Sequence, residues 1–176
     1  MKKLFTLFGL GACLLVTSCS NEISSDERTQ NFDTKGLTSF STSSATKPAP
    51  HLLTAGEYSG SRVDFYWTAG DRLWINNGGL MQDSINDIKD QLVGGQTSTS
   101  DAQFFFRGNY SKPSYIVRYT GKNSTSADRI TIKAKQQQEE PNKALQLGES
   151  GDCGVATAYR TPEGKYKFTL EHKAAY

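Results

Sequence analysis

Cysteine, histidine and long apolar runs are all scarce in this chain, and each scarcity excludes something. The 176 residues include three cysteines and two histidines. No Cys-x-x-Cys pair occurs, and neither His51 nor His172 has a second ligand at a useful spacing, so a structural metal module lacks its ligands. No apolar run reaches the ~18 residues of a membrane-spanning helix. The longest, Leu4 to Val16, is broken by Thr6, Gly9 and Gly11. The net charge is +2 at pH 7. A nucleic-acid-binding face needs a basic excess gathered on one side, and nothing resembles one here. Glycine-rich phosphate loops and G-x-S-x-G elbows are absent as well.

What is present begins at the first residues. Met1-Lys2-Lys3 is a cationic start, Leu4 to Val16 is a short apolar core, and small residues follow. That order is a secretory signal. The segment Val16-Thr17-Ser18-Cys19 resembles the lipobox of bacterial lipoproteins. The resemblance implies cleavage before Cys19, acylation of its sulfur and its new amine, and a lipid anchor in the outer membrane at the cell surface. Residues 1–18 are then the signal peptide. They carry Lys2 and Lys3 away and leave equal numbers of acidic and basic side chains. Cys13 leaves too and Cys19 carries lipid, so Cys153 has no partner for an internal disulfide. A lone cysteine with no histidine nearby reads as a small packed residue.

Residues 19–50 read as a flexible tether. They are rich in Ser, Thr, Asn, Asp and Lys, and end in Lys47-Pro48-Ala49-Pro50. Such a stretch buries too little apolar surface to repay the entropy of ordering. Phe32, Leu37 and Phe40 are its large apolar residues between 30 and 45, and they would suit a short strand laid on the domain.

Residues 51–176 read as an all-β domain. Val63, Phe65 and Trp67 alternate with polar neighbours, and Leu73-Trp74-Ile75 follows the turn Ala69-Gly70-Asp71, which predicts a hairpin. Met81, Ile85, Ile88 and Leu92 have helical spacing, and Ser84-x-x-Asp87 would cap a short amphipathic helix over Leu80 to Val93. Gln103 to Arg107, Tyr115 to Tyr119, Arg129 to Lys133, Val155 to Tyr159 and Tyr166 to Leu170 read as strands. Ala134 to Asp152 is a polar connection. Short strands at this spacing, separated by turn residues, indicate a sandwich or barrel.

Taken together these segments resemble the fimbrillin-like lipoproteins of anaerobic Gram-negative bacteria. Trp67-Thr68-Ala69-Gly70-Asp71 with Leu73 is similar to that family's W-x-x-G-D-x-hydrophobic segment. Phe104-Phe105-Phe106, the tyrosine strand Tyr115 to Tyr119, Ile130-Thr131-Ile132 with Gln136, the small-residue strand Gly154 to Ala158, and Phe168-Thr169-Leu170-Glu171-His172-Lys173-Ala174-Ala175 follow in the family's order, over roughly 60–176. Tyr119 is followed by Thr120, where the family often has proline. The resemblance implies a transthyretin-like β-sandwich, the N-terminal domain of a fimbrial subunit. It also implies more β-structure beyond Tyr176, and assembly with other subunits by strand complementation. Maturation in that family is by cleavage after an arginine, and Arg28 is the tether's candidate. Phe32, Leu37 and Phe40 follow Arg28, so cutting there would not remove them.

No constellation supports catalysis, and no cofactor is implied. His51 reads as tether and His172 as a strand histidine. Asp71 reads as a turn acceptor rather than a metal or acid–base carboxylate. Glu139-Glu140 before Pro141 reads as a solvated pair. Tyr66, Trp67, Trp74, Tyr110, Tyr115 and Tyr119 raise the alternative of a surface glycan-binding module that does not polymerise, although core packing accounts for most such aromatics.

Overall fold

The structure is a computed structural model, and it describes residues 32–42, 55–58, 60 and 63–172. The elements in chain order are β1 (Thr38–Thr42), β2 (Ala55–Tyr58), β3 (Val63–Thr68), β4 (Trp74–Asn77), β5 (Leu80–Asp83), β6 (Ser98–Thr99), β7 (Gln103–Phe106), β8 (Ser114–Tyr119), β9 (Lys143–Ala144), β10 (Gly154–Arg160), β11 (Tyr166–Phe168) and β12 (Glu171–His172). Two 3-10 turns, Ile88–Gln91 and Leu147–Glu149, complete the described elements. The fold is all-β.

The strands form two sheets. The larger runs β5-β4-β8-β10-β11-β1-β7, with β12 also on β10, and the smaller runs β6-β3-β2-β9. The larger sheet curls until it is nearly closed. Just beyond β5, the Ile85 N–H donates to the Phe105 carbonyl of β7 at 2.9 Å, which bridges the first strand to the last.

Period-two alternation decides what fills the curl. In β8, Tyr115, Val117 and Tyr119 are buried while Ile116 faces water. In β10 the inward residues are the small Gly154, Ala156 and Ala158. Small side chains there leave room for bulky ones opposite, including Phe40, Phe104, Phe106, Tyr166 and Phe168. The smaller sheet adds Trp67 of β3. Its ring lies edge-on to Phe104 at 5.0 Å and to Tyr119 at 5.6 Å, so both sheets share one core.

Four expectations are corrected. First, β3 and β4 are not a hairpin: β3 pairs with β2 and β6, while β4 pairs with β5 and β8 in the other sheet. The Ala69-Gly70-Asp71 turn is a crossing between sheets. Second, Leu80 to Val93 is not a helix. Leu80–Asp83 pairs with β4, and one 3-10 turn follows. Its capping box is Asp87 with Asp90, whereas Ser84 is buried and its Oγ accepts from Leu73 N–H at 3.2 Å. Third, no strand forms at Arg129 to Lys133, although the segment alternates cleanly. Fourth, Thr38–Thr42, inside the stretch read as tether, is a strand. Of the three residues expected to suit a short strand, only Phe40 lies in it, and the strand sits within the sheet rather than on its surface, while Phe32 and Leu37 precede it.

Candidate functional site

The candidate site is the slot filled by β1, where a strand from the N-terminal segment completes a sheet otherwise built from residues 74–172. This strand comes from the N-terminal segment and sits inside the large sheet. It runs parallel to β11, with Phe40 opposite Tyr166, and antiparallel to β7, with Phe40 opposite Phe104. Ser39 and Ser41 turn outward, and Phe40 is the one large apolar side chain the strand inserts. It is fully buried. Its ring stacks on Tyr166 at 4.5 Å and meets Phe106 and Tyr110 edge-on, each at 5.2 Å. Burying a phenylalanine side chain contributes about 1.5–3 kcal/mol, and this residue anchors the strand.

The slot is latched at both ends. Below it, Leu37 N–H donates to the Thr34 carbonyl, a turn that Gly36 permits with φ +75°. That turn brings Phe32 back over Phe105, with ring centroids 5.6 Å apart. At the other end, Thr42 N–H donates to the Ala102 carbonyl at 3.0 Å, and Ala102 N–H donates to Thr42 Oγ1 at 3.0 Å.

The far edge of β7 is covered by side chains. Asn86 Oδ1 accepts from Phe105 N–H at 2.8 Å and its Nδ2 donates to the Gln103 carbonyl at 2.8 Å. Gln91 Oε1 accepts from Gln103 N–H at 2.7 Å and its Nε2 donates to the same carbonyl at 2.5 Å. Two carboxamides thus stand in for the peptide groups of a missing neighbour strand, which blunts an exposed edge. Nothing in the hydrophobic pattern marks Asn86 or Gln91 for this role. The only clue is that both are amides on a segment that returns to the edge.

A second polar node holds the crossing between sheets. Asp71 is fully buried. Its Oδ2 accepts from Thr68 N–H at 2.7 Å, and its Oδ1 accepts from the Tyr119 hydroxyl at 2.9 Å. Burial first, then the neighbouring Asp71 charge, holds the Tyr119 phenol well above its usual 10.0. Gly70 beside it has φ +89°, and a Cβ there would stand 2.6 Å from Asn123 Oδ1. Gly70 N–H donates to Asp87 Oδ1 at 2.8 Å, and Asn123 N–H donates to the Gly70 carbonyl at 2.9 Å. Asp71 is thus a turn acceptor that also ties the turn to β8.

No known family model, curated protein or solved structure matches this chain.

The remaining candidates are dispersed. Cys19, Arg28 and His51 lie outside the described residues. His172 is on β12 opposite Gly154. Cys153 is half-buried. Trp67, Tyr110, Tyr115 and Tyr119 are buried, so a stacking surface cannot include them, and Tyr58 and Tyr159 are the markedly exposed aromatics among the described residues. Among those residues no group of three or more His, Cys, Asp or Glu is placed to hold a metal. An open groove of about 450 Å³ beside Lys133, Glu139, Lys143 and Glu149 has mixed charge and no convergent set of groups.

Proposed function

We propose that the chain is a lipid-anchored structural protein of the cell surface, a subunit or an anchor or tip component of a fimbria-like assembly. On this reading the fold is a transthyretin-like β-sandwich, Cys19 carries the lipid, and subunits join by strand complementation. The supporting observation is β1, an N-terminal strand seated between β11 and β7 with Phe40 at its centre. Removing it would expose the backbone edges of two strands and an apolar trough lined by Tyr166, Phe104 and Phe106. A strand of a neighbouring copy then has both backbone hydrogen bonds and a pocket to gain. Arg28 precedes β1, so cleavage after it severs the lipid-bearing end and leaves Phe40 in the chain. One acyl chain binds a membrane only reversibly, whereas several hold firmly.

Electron microscopy of material sheared from cells, with antibody against this chain, tests the reading. Labelled filaments or filament ends are expected. A protein that stays with the membrane as dispersed particles, and is captured on immobilised glycans, would instead favour a non-polymerising glycan-binding module. Labelled palmitate should enter the native protein and not the Cys19→Ala variant.

A further inference from the structure

The outward face of the large sheet carries a row drawn from four adjoining strands. Tyr159 of β10 stands opposite Lys167 of β11, Lys167 opposite Ser41 of β1, and Ser41 opposite Gln103 of β7. Their chain neighbours Ala158, Tyr166, Phe40 and Phe104 are buried in the core, so period-two alternation turns this row away from it. Three interstrand steps make the row about 14 Å long, the reach of a short oligosaccharide.

The two ends of the row differ in charge. Tyr159 is 65% exposed, which leaves much of its ring open. Lys167 beside it is exposed, and so is Lys165, two residues earlier. Glu163, in the turn before them, interacts with both charges. At the other end, Asp101 lies two residues before Gln103. An anion is therefore received at the Tyr159 end, where the lysines stand.

An aromatic ring, an ammonium and a hydroxyl on neighbouring strands, with side chains about 5 Å apart, match the groups of a sugar acid. The apolar face of the sugar ring packs on the phenol. Its carboxylate pairs with the ammonium. A serine hydroxyl both donates and accepts, as sugar hydroxyls do. We propose that this face binds an acidic polysaccharide, with Tyr159 under a sugar ring, Lys165 and Lys167 on its carboxylates and Ser41 on its hydroxyls. A flat face holds each sugar weakly, and several copies on one surface gain by engaging one polymer. The row is the same whether β1 comes from its own chain or from a neighbour, so the proposal does not rest on strand exchange.

Biolayer interferometry on the intact chain in detergent tests it, with three polymers at fixed salt. Polygalacturonate has sugar and charge, dextran has sugar alone, and polyglutamate has charge alone. Polygalacturonate should bind most tightly. Tyr159→Ala should weaken it about tenfold, and Lys165→Glu/Lys167→Glu about tenfold, while Glu163→Gln should tighten it about twofold. All four positions are exposed, and an unchanged urea midpoint shows that each variant keeps the fold. No binding of polygalacturonate overturns the proposal. Polyglutamate that binds as tightly, with Tyr159→Ala without effect, reduces the face to a general cation patch and also overturns it. So does self-association that Tyr159→Ala abolishes in the absence of sugar, which assigns the face to a second copy.

Discussion

Phe40 and Tyr166 stack with ring centroids 4.5 Å apart and planes 10° from parallel, across a parallel strand pair that joins the N-terminal segment to the last hairpin. The two residues are far apart in sequence, and their contact holds β1 in a sheet otherwise built from 74–172. Phe40→Ala should therefore destabilise the domain by about 3–5 kcal/mol, the usual range for emptying a phenylalanine site in a core. Urea denaturation followed by tryptophan fluorescence measures it. A loss below about 1 kcal/mol would mean that β1 contributes little to the fold.

The Asp71–Tyr119 bond predicts a different signature. Tyr119→Phe removes one donor to a buried carboxylate, at a cost of about 1–3 kcal/mol. Spectrophotometric titration of the native protein should show Tyr119 among the tyrosines that stay protonated above pH 10.0, with Tyr110 pushed up to about 12 by burial, and Tyr119→Phe should lower the number of such tyrosines by one.

Asp152 gives the chain a pH dependence. Burial lifts its carboxyl from 3.8 to about 7, offset in part by a backbone hydrogen bond from Cys153 and raised further by the charge on Asp71. Between those values the folded chain holds a proton that the unfolded chain has released. Stability from this group thus falls as pH rises from 3.8 to about 7 and is level above. The shift sets an upper bound of roughly 4 kcal/mol. Melting temperature measured against pH should show that decline, and Asp152→Asn should flatten it and be the more stable form above pH 7.

Much of this architecture is legible in the sequence where one face of a strand is buried. Tyr115, Val117 and Tyr119, or Tyr166 and Phe168, announce themselves by period-two alternation. β1 is harder to read, because Thr38, Ser39, Ser41 and Thr42 surround a single apolar residue and its partners are distant. Met81, Ile85 and Ile88 fit helical spacing by coincidence: Met81 belongs to a strand and Ile88 to a 3-10 turn. Ile130 and Ile132 show the opposite failure, a sound local pattern with no neighbouring strand among the described residues. The crossing at Asp71 was hidden because a Gly-Asp turn looks the same whether its strands pair or part. What parts them is the pull of Tyr119 on the carboxylate and of Asp87 on Gly70.

The carboxamide cover on β7 makes a further prediction. Asn86→Ala or Gln91→Ala leaves backbone groups of Gln103 and Phe105 without those partners. Each change should cost about 1–3 kcal/mol, and the bared edge should promote self-association. Sedimentation velocity of the two variants against the native chain reads the second effect. Variants as monomeric as the native chain would show that the edge needs no cover.

Strand exchange is the central claim, and cysteine pairing across β1 tests it most directly. Thr42 N–H bonds to the Ala102 carbonyl, so the adjacent Ser41 and Gln103 form the non-hydrogen-bonded pair, whose side chains approach most closely. With Cys153→Ser as background, Ser41→Cys/Gln103→Cys protein is oxidised on the surface of intact cells and run on a denaturing, non-reducing gel. If each copy lends β1 to its neighbour, the disulfides join different chains and a ladder of covalent multimers appears that collapses on reduction. If every disulfide that forms is internal and only monomer is seen, β1 stays in its own chain and the strand-complementation account is wrong.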